Sequence, residues 1–370
     1  MIDRLAEALG MEAAEVRRRN IYHEGSLEPT QHPLPEGVSA PMVLERCVEE
    51  ARVRFGYGGQ REQPSTPHLR RGVGIACGIK NIGYSFGYPE QATATTEIYG
   101  TAEIERVRVR IGAADVGQGS HLILRQIAAE TLGVPLERVE LVTDDSGLAP
   151  NAGSASASRM TLMGGRAVHD ACVAAQAKWS EQEIYFAEAT VQFRPTATTV
   201  LDPVTGSGTP NYCYAYAAQA VEVEVNTLTG QVEVKKIISV HDVGRAINTQ
   251  QVEGQIEGCL AQALGYALLE NFQVRDGRVL TPYFSTYLLP TILDMPTEIV
   301  PVILELADPQ GPFGARGVAE MPLVPFAAAV ANAIHDATGV WMSQQPMIPE
   351  RVLAALRQAG ADAGAPRRNA

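Results

Sequence analysis

Between residues 103 and 111, Arg106, Arg108 and Arg110 alternate with Val107, Val109 and Ile111, the period-two pattern of a strand with one apolar face. Residues 93–99 supply a partner, so a hairpin is predicted there. A second hairpin is predicted over 217–225 and 232–240, joined by a turn at 226–230, and a third around 275–281. Shorter strands are expected at 139–142 and 299–306. Helical spacing appears where Phe326, Val330 and Ile334 recur every four residues before Gly339, a natural stop. Further helices are predicted over 122–132, ending at Gly133, over 167–179 and over 256–269. At the N-terminus Ile2, Leu5 and Leu9, then Ala13 and Val16, predict two short helices broken at Gly10. A third follows over 41–54, and the Pro- and Gly-containing stretch 56–67 reads as a linker.

Hairpins followed by helices imply an α+β fold with mixed or antiparallel sheets and packed helices, not a doubly wound sheet. The expected division is a segment of N-terminal helices and linker, 1–70, then a domain over 71–370 with two similar subdomains, roughly 71–200 and 210–370. Each half runs hairpin, glycine turn, helix. Asp115-Val116-Gly117 and Asp242-Val243-Gly244 occupy matching places, which suits either an internal duplication or chance.

Composition narrows the function classes. A net charge of -12 over 370 residues argues against a nucleic-acid surface, and Arg17 to Arg19 suit the C-terminal end of a helix. The N-terminal residues lack the features of a secretion signal and no run reaches the ~18 apolar residues of a membrane span, so a cytoplasmic protein is expected. The five cysteines contain no CxxC pair, which signals neither an iron–sulfur cluster nor a zinc site.

Three glycine-rich or small-residue stretches next to predicted helices are the candidate chemistry: Gly117-Gln118-Gly119, residues 153–161, and Gly254-Gln255-Ile256-Glu257-Gly258. Read as loops, they let backbone N–H groups approach an anionic ligand, while Gln118 and Gln255 add amides that both donate and accept. The alternative is a purely structural use of the glycines. A dinucleotide fingerprint is not met, because GQGSHL lacks the third glycine of GxGxxG, and no GK[ST] of a phosphate-binding loop occurs. Glu320 lies in the loop GPFGARGVAEMPLVP just before a helix, where the helix dipole favours an ionised carboxylate able to act as a base. Surface capping is the competing reading.

The order GQG, SxSASRxT, GQIEG, GPFGARGVAEMPLVP resembles the molybdenum hydroxylases, the xanthine dehydrogenases and aldehyde oxidoreductases, over nearly the whole chain. It matches the C-terminal part of that family's molybdopterin-binding region. The resemblance implies that Gln118, between Gly117 and Gly119, and Gln255 hydrogen-bond the pyranopterin. Ala157, Ser158, Arg159 and Thr161 would lie along the same cofactor, and Phe86 would pack against a flat substrate. Glu320 would be the base in an oxidative hydroxylation of an electron-poor C–H carbon with water as oxygen source. The metal would be held by the pterin dithiolene, with no protein ligand. The implied substrate is a purine or other N-heterocycle, with an aldehyde or carbon monoxide as alternatives, and a non-catalytic assembly or cofactor-carrying subunit as the reading from a different class. Expected partners are a chain carrying the N-terminal half of the molybdopterin-binding region and subunits bearing iron–sulfur clusters and FAD. One departure stands out: Ala319 occupies a position that is usually glycine in the family, which would strain the loop if a positive φ were needed there.

Overall fold

The computed structural model describes residues 1–182 and 185–364. The chain opens with α1 (Ile2–Leu9), α2 (Ala13–Asn20) and α3 (Ala40–Phe55), with the three arginines in the last turn of α2 as expected. There follow β1 (Leu69–Asn81), β2 (Ala92–Gly100), β3 (Ile104–Arg110), α4 (Ser120–Leu132) and β4 (Val139–Val142). A π-turn over Met160–Gly164 leads into α5 (Gly165–Gln182) and β5 (Phe186–Phe193). The second half comprises β6 (Tyr214–Asn226), β7 (Val232–Asp242), α6 (Thr249–Leu264), a two-strand ribbon of β8 (Val274–Arg275) and β9 (Arg278–Val279), and β10 (Glu298–Leu304). It closes with α7 (Phe326–Thr338) and α8 (Pro349–Gly364).

The fold is α+β with two mixed sheets, ordered β4-β3-β2-β5 and β1-β6-β7-β10. In the first, Val107, Val109 and Ile111 enter a core with α4 and α5. The alternate arginines stay on the outer face, where Arg110 pairs with Glu97 at 2.9 Å and Glu188 at 2.5 Å. The second sheet is buried on both sides. Val221, Val223 and Val225 of β6 face α6 and α7, while Tyr216, Ala218 and Ala220 face α3. Burial on both faces is why β6 reads as a nearly continuous apolar run.

Strand pairing does not follow the expected division at residues 71–200 and 210–370. β1 pairs with β6 from Leu69↔Asn226 to Asn81↔Tyr214, so it belongs to the sheet of the second half. α3 packs on that same sheet, so residues 1–70 share the core and are not a separate unit. The cause is visible in β1 itself. Val73, Ile75, Cys77 and Ile79 point to α3, while Gly72, Gly74, Ala76 and Gly78 alternate on the opposite face. A Cβ at Gly72 would lie 2.2 Å from Ala333 O, and one at Gly74 2.2 Å from Ala329 O, so these glycines let α7 lie directly on the strand. Asn332 donates to Ile75 O at 2.9 Å and Asp336 accepts from Val73 N–H at 2.8 Å, so α7 satisfies the open edge of β1. That contact fixes α7, and with it the loop that carries Glu320.

Candidate active site

Each half places a turn after the third strand position of its sheet. After β3, Asp115 accepts N–H groups from Gly117 at 2.9 Å, Gly119 at 3.2 Å and His121 at 3.1 Å. Burial raises the Asp115 pKa, but these backbone hydrogen bonds outweigh it and the carboxyl titrates below its ordinary value. After β7, Asp242 accepts from Gly244 N–H at 3.1 Å and Leu306 N–H at 3.0 Å. The two aspartates thus pin equivalent turns, and α4 and α6 start beyond them.

A cavity of about 180 Å³ lies where these turns meet the loops before α5 and α7. The N-termini of α4, α6, the π-turn before α5 and the short 3-10 turn Met321–Leu323 before α7 border it. The start of α4 is already met by the Asp115 carboxylate, so the start of α6 and the π-turn that leads into α5 are the ends that favour an anionic ligand. Gln118, Ala157, Ser158, Arg159, Thr161, Gln255 and Glu320 all line it. Gly117 and Gly119 do not line it; they shape the turn with φ of 108° and 82°.

The anion-binding role expected of the glycine loops is redistributed. The N–H groups of Gly117 and Gly119 are occupied by Asp115. Residues 254–258 are no loop: Asn248 caps α6 by accepting from Gln251 N–H at 3.1 Å, so the helix begins earlier and contains the whole GQIEG run. Gln255 is therefore presented from a rigid helix turn, and its side chain has no hydrogen-bond partner among the described residues. Gln118 is tied to its own turn, donating to Ala114 O at 2.9 Å and accepting from Val116 N–H at 2.7 Å. The free backbone donors are elsewhere. The N–H groups of Ala155 to Ser158 and of Gly317 to Ala319 make no hydrogen bond among the described residues, and these residues line the cavity.

Ala157 and Ser158 are both left-handed, with φ of 54° and 53°, a conformation that non-glycine residues adopt at a cost of order 1 kcal/mol or more each. The surroundings hold them there. Ala157 O accepts from Gly83 N–H at 2.9 Å, and Gly317 lies so close that a Cβ would sit 1.6 Å from Ser158 O. Arg159 sends its guanidinium inward. Its side chain has no exposed surface, meets Glu90, and donates to Ala152 O at 2.6 Å, Ser154 O at 3.0 Å and Gln91 O at 2.8 Å. Arg316 does the same below the Glu320 loop, pairing with Asp242 at 3.1 Å and Asp308 at 3.4 Å. Two buried arginines thus lock two adjoining loops.

Glu320 stands at the rim with its side chain 52% exposed. Ser158 Oγ donates to Oε2 at 2.8 Å and accepts from Glu320 N–H at 3.1 Å, a reciprocal clasp between the halves. Lys80 Nζ lies 2.6 Å from the same oxygen. Burial alone would raise the Glu320 pKa; the hydrogen bonds from Lys80 and Ser158 and the lysine charge overcome it and lower the pKa. Ala319 does not take a positive φ, so its methyl costs the loop nothing. Phe86 is outside the cavity wall, with the residue 55% exposed and its N–H donated to Pro210 O at 2.9 Å. No cluster of His, Cys, Asp or Glu suited to a metal occurs among the described residues.

Sequence reasoning missed Lys80, Asn248 and Gln251. Gln251 packs its amide against Gly119, and its Oε1 is buried in the cavity wall without a partner.

The model of the molybdopterin cofactor-binding domain matches residues 50–190 and 175–296. The chain belongs to that family, whose model matches more than half of it. It is 32% identical to the aldehyde oxidoreductase of Megalodesulfovibrio gigas over 96% of its own length and 40% of the relative's. It is 27% identical to a putative xanthine dehydrogenase molybdenum-binding subunit of Escherichia coli, over 97% of this chain and 52% of that one. The solved aldehyde oxidoreductase from Desulfovibrio gigas superposes with a TM-score of 0.85 at 30% identity, covering 96% of this chain and 40% of that chain. The chain thus spans about half or less of the length of these relatives.

Proposed function

We propose that the cavity binds molybdopterin and that the chain catalyses, within a larger assembly, the oxidative hydroxylation of an electron-poor C–H carbon. The observation that carries this reading is the convergence of two equivalent half sites on one cavity, with an ionised carboxylate at the rim. The residues fit such a group: seven unpartnered backbone N–H groups, the free Gln255 amide and the orphaned Oε1 of Gln251 suit a polar, phosphate-bearing heterocycle. When bound, the cofactor supplies the metal centre at which the oxidation takes place. Gln118, Gln255 and the segment from Ala157 to Thr161 would hold it, with Arg159 fixing the segment from behind. Glu320 Oε1, the oxygen left without a partner, takes the proton from the water-derived nucleophile.

A purine or other N-heterocycle is the first substrate class. The aldehyde reading gains support from the 32% identical aldehyde oxidoreductase. Assays of the native complex with a purine and with an aromatic aldehyde separate the two. The partner reading rests on a run of exposed apolar side chains, among them Phe272, Tyr283, Phe284, Ile292 and Leu293, suited to cover by another polypeptide. Iron–sulfur and flavin groups on partner chains would remove the electrons.

Glu320→Gln in the native complex is expected to lower kcat/KM by ~10²-fold or more, the loss of a general base, while molybdenum stays stoichiometric. A rate within about threefold of wild type overturns the assignment of the base. A native complex free of molybdenum overturns the cofactor.

A further inference from the structure

We infer that Lys80 is a positioning residue for the base, holding Glu320 by its Oε2 so that Oε1 alone is presented to the reaction. The inference rests on the proposed role of Glu320, and adds to it a residue that no sequence motif singled out. β1 carries Gly72, Gly74, Ala76 and Gly78 on the face that meets α7, and Lys80 is the next residue on that face. A Cβ at Gly78 would touch Met321 and Val324, so the strand passes directly under the Glu320 loop before Lys80 reaches it. The lysine is 16% exposed and its Nζ is buried, 2.6 Å from Glu320 Oε2. The lysine charge beside Glu320 favours the ionised form of that carboxylate.

The other groups around Glu320 leave Lys80 as the charge that acts on it. From the loop before α5, Ser158 contributes a neutral hydroxyl and Arg159 is committed to Glu90. From its own loop, Arg316 is committed to Asp242 and Asp308. From α6, Cys259 is neutral at ordinary pH because burial pushes its thiol up to about 11. A hydroxyl that donates to Oε2 and an ammonium 2.6 Å from the same oxygen also favour one direction of the carboxylate, which a single flexible glutamate at a half-exposed rim would not keep.

Two measurements on the native complex test this. The first is mass-spectrometric labelling of lysine amines under limiting anhydride. Lys80 is expected to react about threefold or more faster in Glu320→Gln than in wild type, consistent with a modest ion pair; equal rates overturn the pairing without any reference to turnover. The second is the pH profile of kcat/KM for Lys80→Met and Lys80→Arg. The acidic limb is expected to move to higher pH in Lys80→Met, because Glu320 then protonates more easily, and to return toward wild type in Lys80→Arg. An unmoved limb in a Lys80→Met complex that turns over overturns the positioning role; if that complex does not assemble, the labelling comparison decides alone. If Glu320→Gln itself leaves the rate unchanged, the proposed base fails, and the lysine labelling still reports whether the pair exists.

Discussion

The guanidinium of Arg159 is used up inside the protein, by Glu90 and three backbone carbonyls. Removing one member of a buried pair leaves the other charged and uncompensated, which costs about 3–5 kcal/mol. Arg159→Met is therefore expected to lower the thermal unfolding midpoint of the protein by several degrees. A ligand-holding arginine would behave differently, losing bound cofactor at an unchanged midpoint, and calorimetry alongside metal analysis distinguishes the two. At this scale the sequence reveals residue types and neighbourhood, but not direction. Glu320 is recognisable from its glycine-rich loop and following helix. Arg159 looks equally available in the sequence, and only its burial removes it from the ligand's reach. Lys80 is hidden because its partner is 240 positions away in sequence, although the small-residue alternation leading to it is readable as one face of a strand.

The two sheets repeat one plan at the level of elements. β5-β2-β3-β4 and β1-β6-β7-β10 each run antiparallel, antiparallel, parallel, with the Asp-Val-Gly turns following β3 and β7. The tripeptide that alone suits either chance or duplication therefore sits at equivalent places in equivalent topologies. The β2–β3 hairpin and most helices are legible because a single face of each is apolar, and β6 because it is apolar on both. The start of α6 is not, since its first turn, Thr249 to Val252, offers little apolar periodicity and the capping Asn248 is one polar residue among several. The two repeats touch at Ser158 and Gly317, where there is no room for a methyl group. Gly317→Ala is expected to part these loops, lowering molybdenum per complex while far-ultraviolet circular dichroism stays near wild type. Full metal content in that variant would show that the contact does not hold the site together.

For the molecule as a whole, the run from Phe272 to Leu293 keeps large apolar side chains in solvent, with Ile292 and Leu293 more than four-fifths exposed. Charged substitutions at such exposed positions usually change stability by no more than about 0.5 kcal/mol. A double change, Ile292→Asp with Leu293→Asp, is thus expected to leave the chain folded yet reduce its recovery with partner chains in affinity purification. Undiminished recovery would remove this surface from the assembly. No helix among the described residues is long and apolar enough to cross a membrane. Fold class follows from the pattern of elements, whereas the division into halves does not, because pairing between distant strands leaves no local mark in either one.

The placement of β1 has a consequence for how the protein is made. During synthesis β1 emerges well before its partners, since the strand it pairs with begins only at Tyr214 and the helix that lies on its glycine face only at Phe326. Until then the ribosome exposes a strand with glycines on one side and Val73, Ile75 and Ile79 on the other, an open edge of the kind that recruits other chains. The second sheet, and with it the position of Lys80 beneath Glu320, can settle only after residues 326–338 are free.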